Sequence, residues 1–159
     1  MALRSTAGAD TDGDLPDVNV WLALAVQEHP YHAQALAYWQ HQAASRVWFC
    51  RVTMLGLVRL LTQPRLMGPG ALDPAAALAA YDRFVALPEV GLHVEPPACD
   101  TDLRRLLRPA LPARLMTDAY LAAFAMSAKL RLVTFDRDFS RFDGLRSLQL
   151  GAGLGARPT

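Results

Sequence analysis

Three aspartates lie within or beside apolar stretches that are far apart in the sequence. Asp17 is embedded in the run LPDVNV, Asp118 precedes the run AYLAAFA, and Asp136 directly follows RLVTF. Because an isolated carboxylate is costly to bury, such groups are usually paired, hydrogen-bonded or metal-bound. Together the three predict a site for a divalent cation such as Mg²⁺ or Mn²⁺, which prefer oxygen ligands. A cation held in this way can activate a bound water for attack on a phosphodiester.

Each of the three carboxylates also has an ordinary structural interpretation when it is considered alone. Asp118 is typical of a charge in the first turn of a helix, and Asp136 is typical of a turn or cap residue. Asp17 fits this kind of explanation least well, because aspartate disfavours the interior of a strand. An alternative chemistry for Asp17 is that of the nucleophile in a phosphatase-like α/β enzyme, which would form a covalent aspartyl-phosphate.

The elements that must position these residues are short apolar strands that alternate with helices. The pattern predicts strands over 15–20, 46–51, 90–94, 131–135 and 147–150, and helices over 31–44, 53–63, 73–87, 100–107 and 117–130, with Thr53 and either Thr117 or Asp118 at helix starts. Continuous apolar strands without alternation are typical of a parallel sheet that is covered on both faces. We therefore expect a three-layer α/β sandwich around a mainly parallel sheet of four to five strands, with the site at the carboxyl ends of the strands.

Length and composition are consistent with one domain. The 159 residues suffice for one core, which we place at 15–150 between flexible tails at 1–14 and 151–159. The two cysteines, Cys50 and Cys99, are too few for a disulfide framework and are predicted to be buried thiols. No apolar run approaches the roughly 18 residues of a membrane span, and the first residues do not resemble a signal peptide. We therefore expect a cytoplasmic protein with no membrane partner.

Four segments resemble one known family. The opening LPDVNVWLALA and the closing block TDAYLAAFAMSAKLRLVTFDRDF are similar to the first strand and the last helix–strand unit of PIN domains. The segments HPYHAQALAYW and FCRVTMLGLVRLLTQPRL resemble the VapC-type toxins of that family, which are ribonucleases of toxin–antitoxin pairs. The resemblance covers nearly all of 15–143, with the motifs in the order of the family.

The resemblance implies a PIN-like fold and a Mg²⁺-dependent endoribonuclease, for which Mn²⁺ is a possible substitute. The implied catalytic and metal-binding residues are Asp17, Asp118 and Asp136, and the groups that orient these carboxylates are Asn19, Thr134 and Asp138. The implied substrate is a cellular RNA (tRNA, rRNA or mRNA), and the implied partners are a cognate antitoxin and a second copy of the chain. The apolar residues Trp21, Tyr38, Trp39 and Trp48 are expected mostly in the core, with part of their surface available to a partner.

The chain departs from the family pattern at one position. Most PIN domains carry glutamate early in the helix that follows the second strand, whereas Met54 occupies that place here. A thioether is a poor ligand for Mg²⁺. The departure leaves open an alternative function, a PIN-fold module that binds RNA or an antitoxin with weak or lost catalysis.

Arginine dominates the basic residues, and two groups of arginines flank the predicted site in sequence. The net charge of +1 gives no global sign of a nucleic-acid binder. One group precedes Asp118 (Arg104, Arg105, Arg108 and Arg114) and the other follows Asp136 (Arg137, Arg141 and Arg146). We predict that these arginines, in particular Arg104, Arg105 and Arg137, bind the RNA backbone. The alternative is a solvated face with local ion pairs to Asp100, Asp102 and Asp143.

Overall fold

A computed structural model describes residues 13–151 of the chain. Five strands form one sheet: β1 (Asp14–Pro16), β2 (Val47–Phe49), β3 (Val90–Leu92), β4 (Arg131–Thr134) and β5 (Ser147–Gln149). Their order is β3-β2-β1-β4-β5, and every neighbouring pair is parallel. The predicted sheet is therefore confirmed, and the parts of the predicted tails at 1–12 and 152–159 lie outside the described residues.

Seven α-helices cover the sheet within the described residues. They are α1 (Val18–Ala25), α2 (His32–His41), α3 (Arg51–Leu61), α4 (Pro64–Met67), α5 (Pro74–Val85), α6 (Cys99–Leu106) and α7 (Met116–Ser127), with 3₁₀ turns at Gly68–Gly70, Ala113–Leu115 and Arg137–Arg141. The five predicted helices are confirmed with shifted ends as α2, α3, α5, α6 and α7, whereas α1 and the short α4, which begins at a proline, are additional. In the part of the chain that the structure describes, no helix is long and apolar enough to cross a membrane.

The layers follow from which side chains pack together. On one face, Leu15 of β1 and Leu132 of β4 pack against α7 and Cys99 of α6. Helix α7 is apolar almost all round and its small alanines let it approach the sheet closely, as a buried helix must. On the other face, α1, α3 and α5 pack over β2 and β3. This arrangement confirms the predicted three-layer sandwich.

Aromatic side chains fill the second face. Trp21 of α1 stacks on Phe49 of β2, with ring centroids 3.8 Å apart, and Tyr81 of α5 meets Phe49 edge-on at 5.0 Å. Trp21 and Tyr38 are buried, whereas Trp39 and Trp48 are partly buried. The expectation that these residues belong mostly to the core is confirmed, as is the prediction that Cys50 and Cys99 are buried free thiols.

The predicted end of the first strand and the predicted starts of two helices are wrong. The first strand ends at Pro16 rather than at Val20, because Asp17 caps α1 there. Helix α3 is capped by Cys50, and Thr53 lies three residues further on in a capping box, accepting from the Cys50 backbone N–H at 3.0 Å. Helix α7 begins at Met116, before the predicted Thr117 or Asp118, without a side-chain cap.

The assignment of Asp14 to the N-terminal tail is also corrected. Asp14 is the first residue of β1 and is fully buried. Arg131 forms a two-pronged ion pair with its carboxylate, at 2.8 and 2.9 Å. The Tyr38 hydroxyl and the Ala44 backbone N–H also donate to this carboxylate, at 2.7 and 2.9 Å. An acidic residue within a polar, glycine-rich segment gives no sign of this partner 117 residues further along the chain.

Candidate active site

The two central strands of the sheet, β1 and β4, end side by side at the candidate site. They pair in parallel with Pro16 opposite Val133, so their carboxyl ends point to the same edge of the sheet. Asp17 follows β1 and donates its backbone N–H to the Val133 carbonyl at 2.8 Å. Asp136 follows β4 after one intervening residue. The fold thus brings together two aspartates that are far apart in sequence.

Asp17 is held in place by its role as the N-cap of α1. Its Oδ1 accepts a hydrogen bond from the Val18 backbone N–H at 2.6 Å, and its Oδ2 accepts one from the Thr134 hydroxyl at 3.3 Å. The side chain is buried, with 6% of the residue exposed. Burial, together with the nearby charges of Asp118 and Asp136, raises the pKa of Asp17 to about 6 against the opposing effect of the two hydrogen bonds.

Thr134, the last residue of β4, lies between two of the predicted ligands. Its hydroxyl donates to Asp17 and accepts a hydrogen bond from the Asp136 backbone N–H at 2.9 Å. A single hydroxyl therefore fixes the Asp17 carboxylate relative to the backbone of Asp136. This is the contact that its predicted orienting role requires.

Asp118 faces the same site from the first turn of α7. It is partly buried, and burial raises its pKa, as do the neighbouring charges of Asp136 and Asp138. The guanidinium groups of Arg114 and Arg141 act in the opposite direction. The charges of Asp118 and Asp136 act on Asp17, and that of Asp136 acts on Asp118, so the three carboxylates form one acidic pocket at the edge of the sheet.

The other two predicted orienting residues differ in what they contact. Asp138 forms ion pairs with Arg114 at 2.7 Å and with Arg141 at 3.1 Å, and the hydrogen bond from Arg114 holds its pKa below the usual range. Its backbone N–H donates to the Asp136 carboxylate at 2.8 Å. Asn19 is exposed in the first turn of α1, and within residues 13–151 its side chain makes no hydrogen bond to these carboxylates.

The donor set of this pocket fits a hard divalent cation. Within the described residues, neither Asp17 nor Asp118 has a basic side chain at ion-pair distance, so no direct ion pair competes with a cation for these two carboxylates. No three acidic, histidine or cysteine side chains of residues 13–151 converge closely enough to ligate one ion together. Mg²⁺ commonly takes one or two carboxylates and keeps several waters, which this arrangement allows.

Met54 contributes no oxygen to the pocket. It lies in the first turns of α3 and packs against the core between α1, α3 and α5. The guanidinium of Arg51, one turn earlier, lies 4.0 Å from its sulfur. Helix α3 approaches α1 closely at Gly56, where an added Cβ would come within 2.9 Å of Val18 Cγ2.

The predicted RNA-binding arginines differ in whether their guanidinium groups already form ion pairs. Arg104 and Arg105 form ion pairs on α6 with Asp100 and Asp102, both at 2.8 Å, as the alternative of a solvated face expects. Arg137 is exposed and has no side-chain partner within residues 13–151. Arg105, Arg108 and Arg141 line one cleft of about 380 Å³ together with Phe142 and Asp143, so the fold brings members of both sequence groups together.

A second cleft, of about 250 Å³, lies at the same edge of the sheet and was missed by the sequence reasoning. Arg51 of α3, Tyr120 of α7 and Glu95 from the segment after β3 line it. The Tyr120 hydroxyl donates to the Glu95 carboxylate at 2.5 Å. Because the three residues come from separate elements, no spacing in the sequence indicates that they meet.

Comparison with known proteins agrees with this architecture. The family model described as PIN domain matches residues 15–145. Ribonuclease VapC41 of Mycobacterium tuberculosis is 35% identical over 137 residues, which is 82% of this chain and 94% of that protein. Ribonuclease VapC37 of the same organism is 36% identical over 135 residues, covering 82% and 92%.

Solved structures show the same fold at lower sequence identity. VapC20 of M. tuberculosis, described as a sarcin-ricin loop cleaving toxin, superposes with a TM-score of 0.61 at 20% identity, covering 80% of this chain and 92% of that one. VapBC-1 from nontypeable Haemophilus influenzae gives 0.60 at 16% identity, covering 86% and 96%. Both its sequence relatives and its fold show that the chain belongs to the PIN-domain family, and within that family to the VapC proteins.

Proposed function

We propose that this VapC protein is a Mg²⁺-dependent endoribonuclease that acts as the toxin of a VapBC-type pair and cuts cellular RNA in the cytoplasm. The observation that carries the proposal is the grouping of three carboxylates at the ends of β1 and β4 and the start of α7, where Asp17 is buried and has no basic partner among the described residues. The relatives named ribonuclease VapC support the reaction class. Membership of this family argues against the phosphatase-like alternative.

The chemistry divides between the cation and the chain. One or two of Asp17, Asp118 and Asp136 would ligate the Mg²⁺ directly and the rest through its waters, and the cation would supply a more acidic bound water and offset the charge of the phosphodiester. The chain supplies rigidity: the cap of α1 and the Thr134 hydroxyl fix Asp17 before any substrate arrives. Asp138, anchored by Arg114 and Arg141, holds the loop that carries Asp136 through its backbone N–H. Fixed carboxylates favour a reactive geometry at low entropic cost.

The RNA backbone is proposed to cross the cleft of Arg105, Arg108 and Arg141, with Arg137 beside Asp136. Arg141 connects this cleft to the acidic pocket, because its guanidinium also binds Asp138. The double change Arg108→Gln/Arg137→Gln should weaken RNA binding equally for all sequences and reduce its salt dependence by about two in slope. An unchanged salt slope would place the RNA elsewhere.

We also propose an antitoxin partner and a homodimer. Several solved structures of this fold are VapBC complexes, among them one from Salmonella typhimurium that is bound to DNA. Trp21 and Tyr38 are core residues, so a partner surface must use exposed aliphatic side chains such as Leu55 of α3 and Leu66 of α4. Co-purification with the product of a neighbouring small reading frame and the mass of the isolated chain in solution test these two partners separately.

The first experiment is cleavage of total RNA with Mg²⁺, with Mn²⁺ and with EDTA. The control pair is Asp17→Asn and Asp73→Asn, because Asp73 is also an aspartate that caps a helix, α5, but is exposed and remote from the pocket. Discrete cuts should require the metal, persist in Asp73→Asn and disappear in Asp17→Asn. Metal-independent cleavage, or equal cleavage by both variants, would overturn the proposal.

The second candidate function is a PIN-fold module that binds RNA or antitoxin with weak catalysis. It is favoured by Met54, which leaves the pocket without an acidic side chain from α3. Met54→Glu distinguishes the two functions: a large gain in metal-dependent cleavage would indicate a chain that has lost a ligand. Efficient cleavage by the wild-type chain, with little gain from Met54→Glu, supports the nuclease.

A further inference from the structure

The second cleft, hereafter the side cleft, adjoins the acidic pocket without sharing its carboxylates. Its lining residues include Arg51, Glu95 and Tyr120, with Leu92, Val94 and Phe124 as apolar walls. Strand β2 separates β3 from β1, so the end of β3 lies about 10 Å, two strand spacings, from the end of β1. Tyr120 is also two residues from Asp118 on α7. The side cleft is therefore within reach of a chain that passes through the pocket.

Arg51 offers the side cleft a free positive charge. Two of the arginines beside the acidic pocket, Arg114 and Arg141, are already engaged, since both bind Asp138. Within residues 13–151 no carboxylate lies at ion-pair distance from Arg51, and its polar contact is the Met54 thioether at 4.0 Å. Arg51 is also the first residue of α3, where the helix dipole favours an anion. These features suit a phosphate group.

Glu95 gives the side cleft a different preference. Its carboxylate would repel a phosphate, but it would accept hydrogen bonds from the amino group of a base. Tyr120 binds Oε2, which orients the carboxylate, and Oε1 has no partner among the described residues. Val94, which is 83% exposed, and the partly buried Leu92 supply apolar surface of the kind that a base face covers. Uracil, whose corresponding group is a carbonyl oxygen, would be disfavoured.

We propose that the side cleft binds the nucleotide next to the cleaved phosphodiester, with Arg51 on its phosphate and Glu95 on a base that carries an amino group. The position next to the cleaved bond rests on the proposed nuclease function; the preference of the cleft for amino-bearing bases does not. Met54 leaves the Arg51 guanidinium available to a phosphate, because a carboxylate in its place, one turn after Arg51, would form an ion pair with that guanidinium.

Binding is measured on the full chain carrying Asp17→Asn, so that RNA is not consumed, with fluorescent nonamers of oligocytidine and oligouridine in Mg²⁺. Cytidine is expected to bind about tenfold more tightly than uridine. Adding Glu95→Gln should reduce the ratio of the cytidine to the uridine affinity to about twofold or less. Glu89→Gln, at the opposite end of β3, should leave this ratio unchanged. Tyr120→Phe, which frees the Glu95 carboxylate, should reduce the ratio partially.

Arg51 is tested by its effect on salt dependence rather than on base preference. Arg51→Gln should weaken both nonamers to the same extent and lower the salt slope by about one, and Arg59→Gln, two turns along α3, should do neither. Thermal unfolding of each variant identifies those that fail to fold.

The outcomes separate this proposal from the nuclease. Equal affinity for the two nonamers, or a preference that survives Glu95→Gln in a folded chain, overturns the side-cleft proposal whether or not the wild-type chain cleaves RNA. A preference that depends on Glu95 in a chain whose wild type cuts no RNA overturns the nuclease and keeps the base-binding cleft.

Discussion

Asp17 combines two roles whose energetic effects oppose each other. As the cap of α1 it satisfies a backbone N–H at the helix start, which stabilises the fold by about 1 kcal/mol. As a buried carboxylate near Asp118 and Asp136 it is unfavourable when ionised, which its raised pKa of about 6 reflects. The residue therefore holds a charge that suits a cation at a cost to the metal-free fold.

The first prediction is that Asp17→Asn stabilises the metal-free chain. Because burial raises the folded-state pKa of Asp17 from 3.8 to about 6, its ionised form destabilises the fold above pH 6. Asparagine keeps the cap and removes the charge, so we expect a gain of the order of 1–3 kcal/mol at pH 7.5. The gain should shrink as the pH falls from 6 towards 4, where the carboxyl becomes protonated in the folded chain.

Urea unfolding of the metal-free protein at several pH values measures this effect. Asp73→Asn is the control, because it replaces an exposed cap and should change the stability little at any pH. Destabilisation by Asp17→Asn at pH 7.5 would show that the carboxylate contributes more to the fold as an ion than burial costs.

The second prediction concerns competition between protons and Mg²⁺. A protonated Asp17 cannot ligate a cation, so cleavage at low Mg²⁺ should fall as the pH drops through about 6. Raising the Mg²⁺ concentration should move the midpoint of this loss to lower pH, because the cation and the proton compete for the same carboxylate. Cleavage rates measured over a range of pH values and Mg²⁺ concentrations test this prediction. If the pH midpoint does not change with the Mg²⁺ concentration, the titrating group is not Asp17.

At the scale of the elements, the position of Asp17 depends on how α1 meets α3. Gly56 lies where the two helices cross, and an added Cβ would come within 2.9 Å of Val18, the residue that follows Asp17. Valine in a helix has little rotamer freedom with which to move aside. The crossing therefore determines where the cap of α1, and with it the Asp17 carboxylate, can sit.

The third prediction is that Gly56→Ala lowers both stability and cleavage, although alanine favours helices more than glycine does. We expect a loss of about 1–3 kcal/mol from overpacking. Val18→Ala in the same chain should restore much of the activity by making room for the added methyl group. Gly70→Ala, which meets no atom within 4 Å, serves as the control. A stabilising Gly56→Ala would show that α1 shifts without cost.

The elements also show where the sequence was sufficient and where it was not. The alternation of apolar runs with helical patterns predicted the parallel sheet and five of the helices, because a strand that is covered on both faces is a continuous apolar run. The end of β1 was misplaced, because DVNV reads equally as strand or as the first turn of α1, and only the cap contact decides. The side cleft depends on side chains from three separate elements, and such a juxtaposition leaves no local pattern.

At the scale of the whole molecule, the Asp14–Arg131 ion pair joins the first strand, β1, to β4, which lies in the last third of the chain. The pair lies at the opposite end of β1 and β4 from the acidic pocket, and the carboxylate accepts four hydrogen bonds from Arg131, Tyr38 and the Ala44 backbone. These donors replace the hydrogen bonds that the carboxylate would make with water, so burial costs the fold little free energy. The loss of any one donor would make the buried charge unfavourable. Its role is structural, and it contacts none of the predicted catalytic residues.

The fourth prediction is that Arg131→Met destabilises the chain by about 3–5 kcal/mol, because it leaves the Asp14 charge buried with fewer donors. Arg104→Met, which breaks an exposed ion pair on α6, should change the stability little. Chemical unfolding measures both. In the folded fraction, base preference and metal dependence should be unchanged by Arg131→Met; a change in either would connect the two ends of the sheet.

The strand order has a consequence for how the protein is made. Strand β1 emerges first from the ribosome, but one of its two neighbours, β4, begins only at Arg131. Until that segment has been synthesised, β1 can pair only with β2, Asp14 lacks its counter-ion and the acidic pocket lacks Asp136. Pairings this distant along the chain close late in folding. A ribosome translating this message therefore carries a chain with an incomplete acidic pocket for most of the time that translation takes.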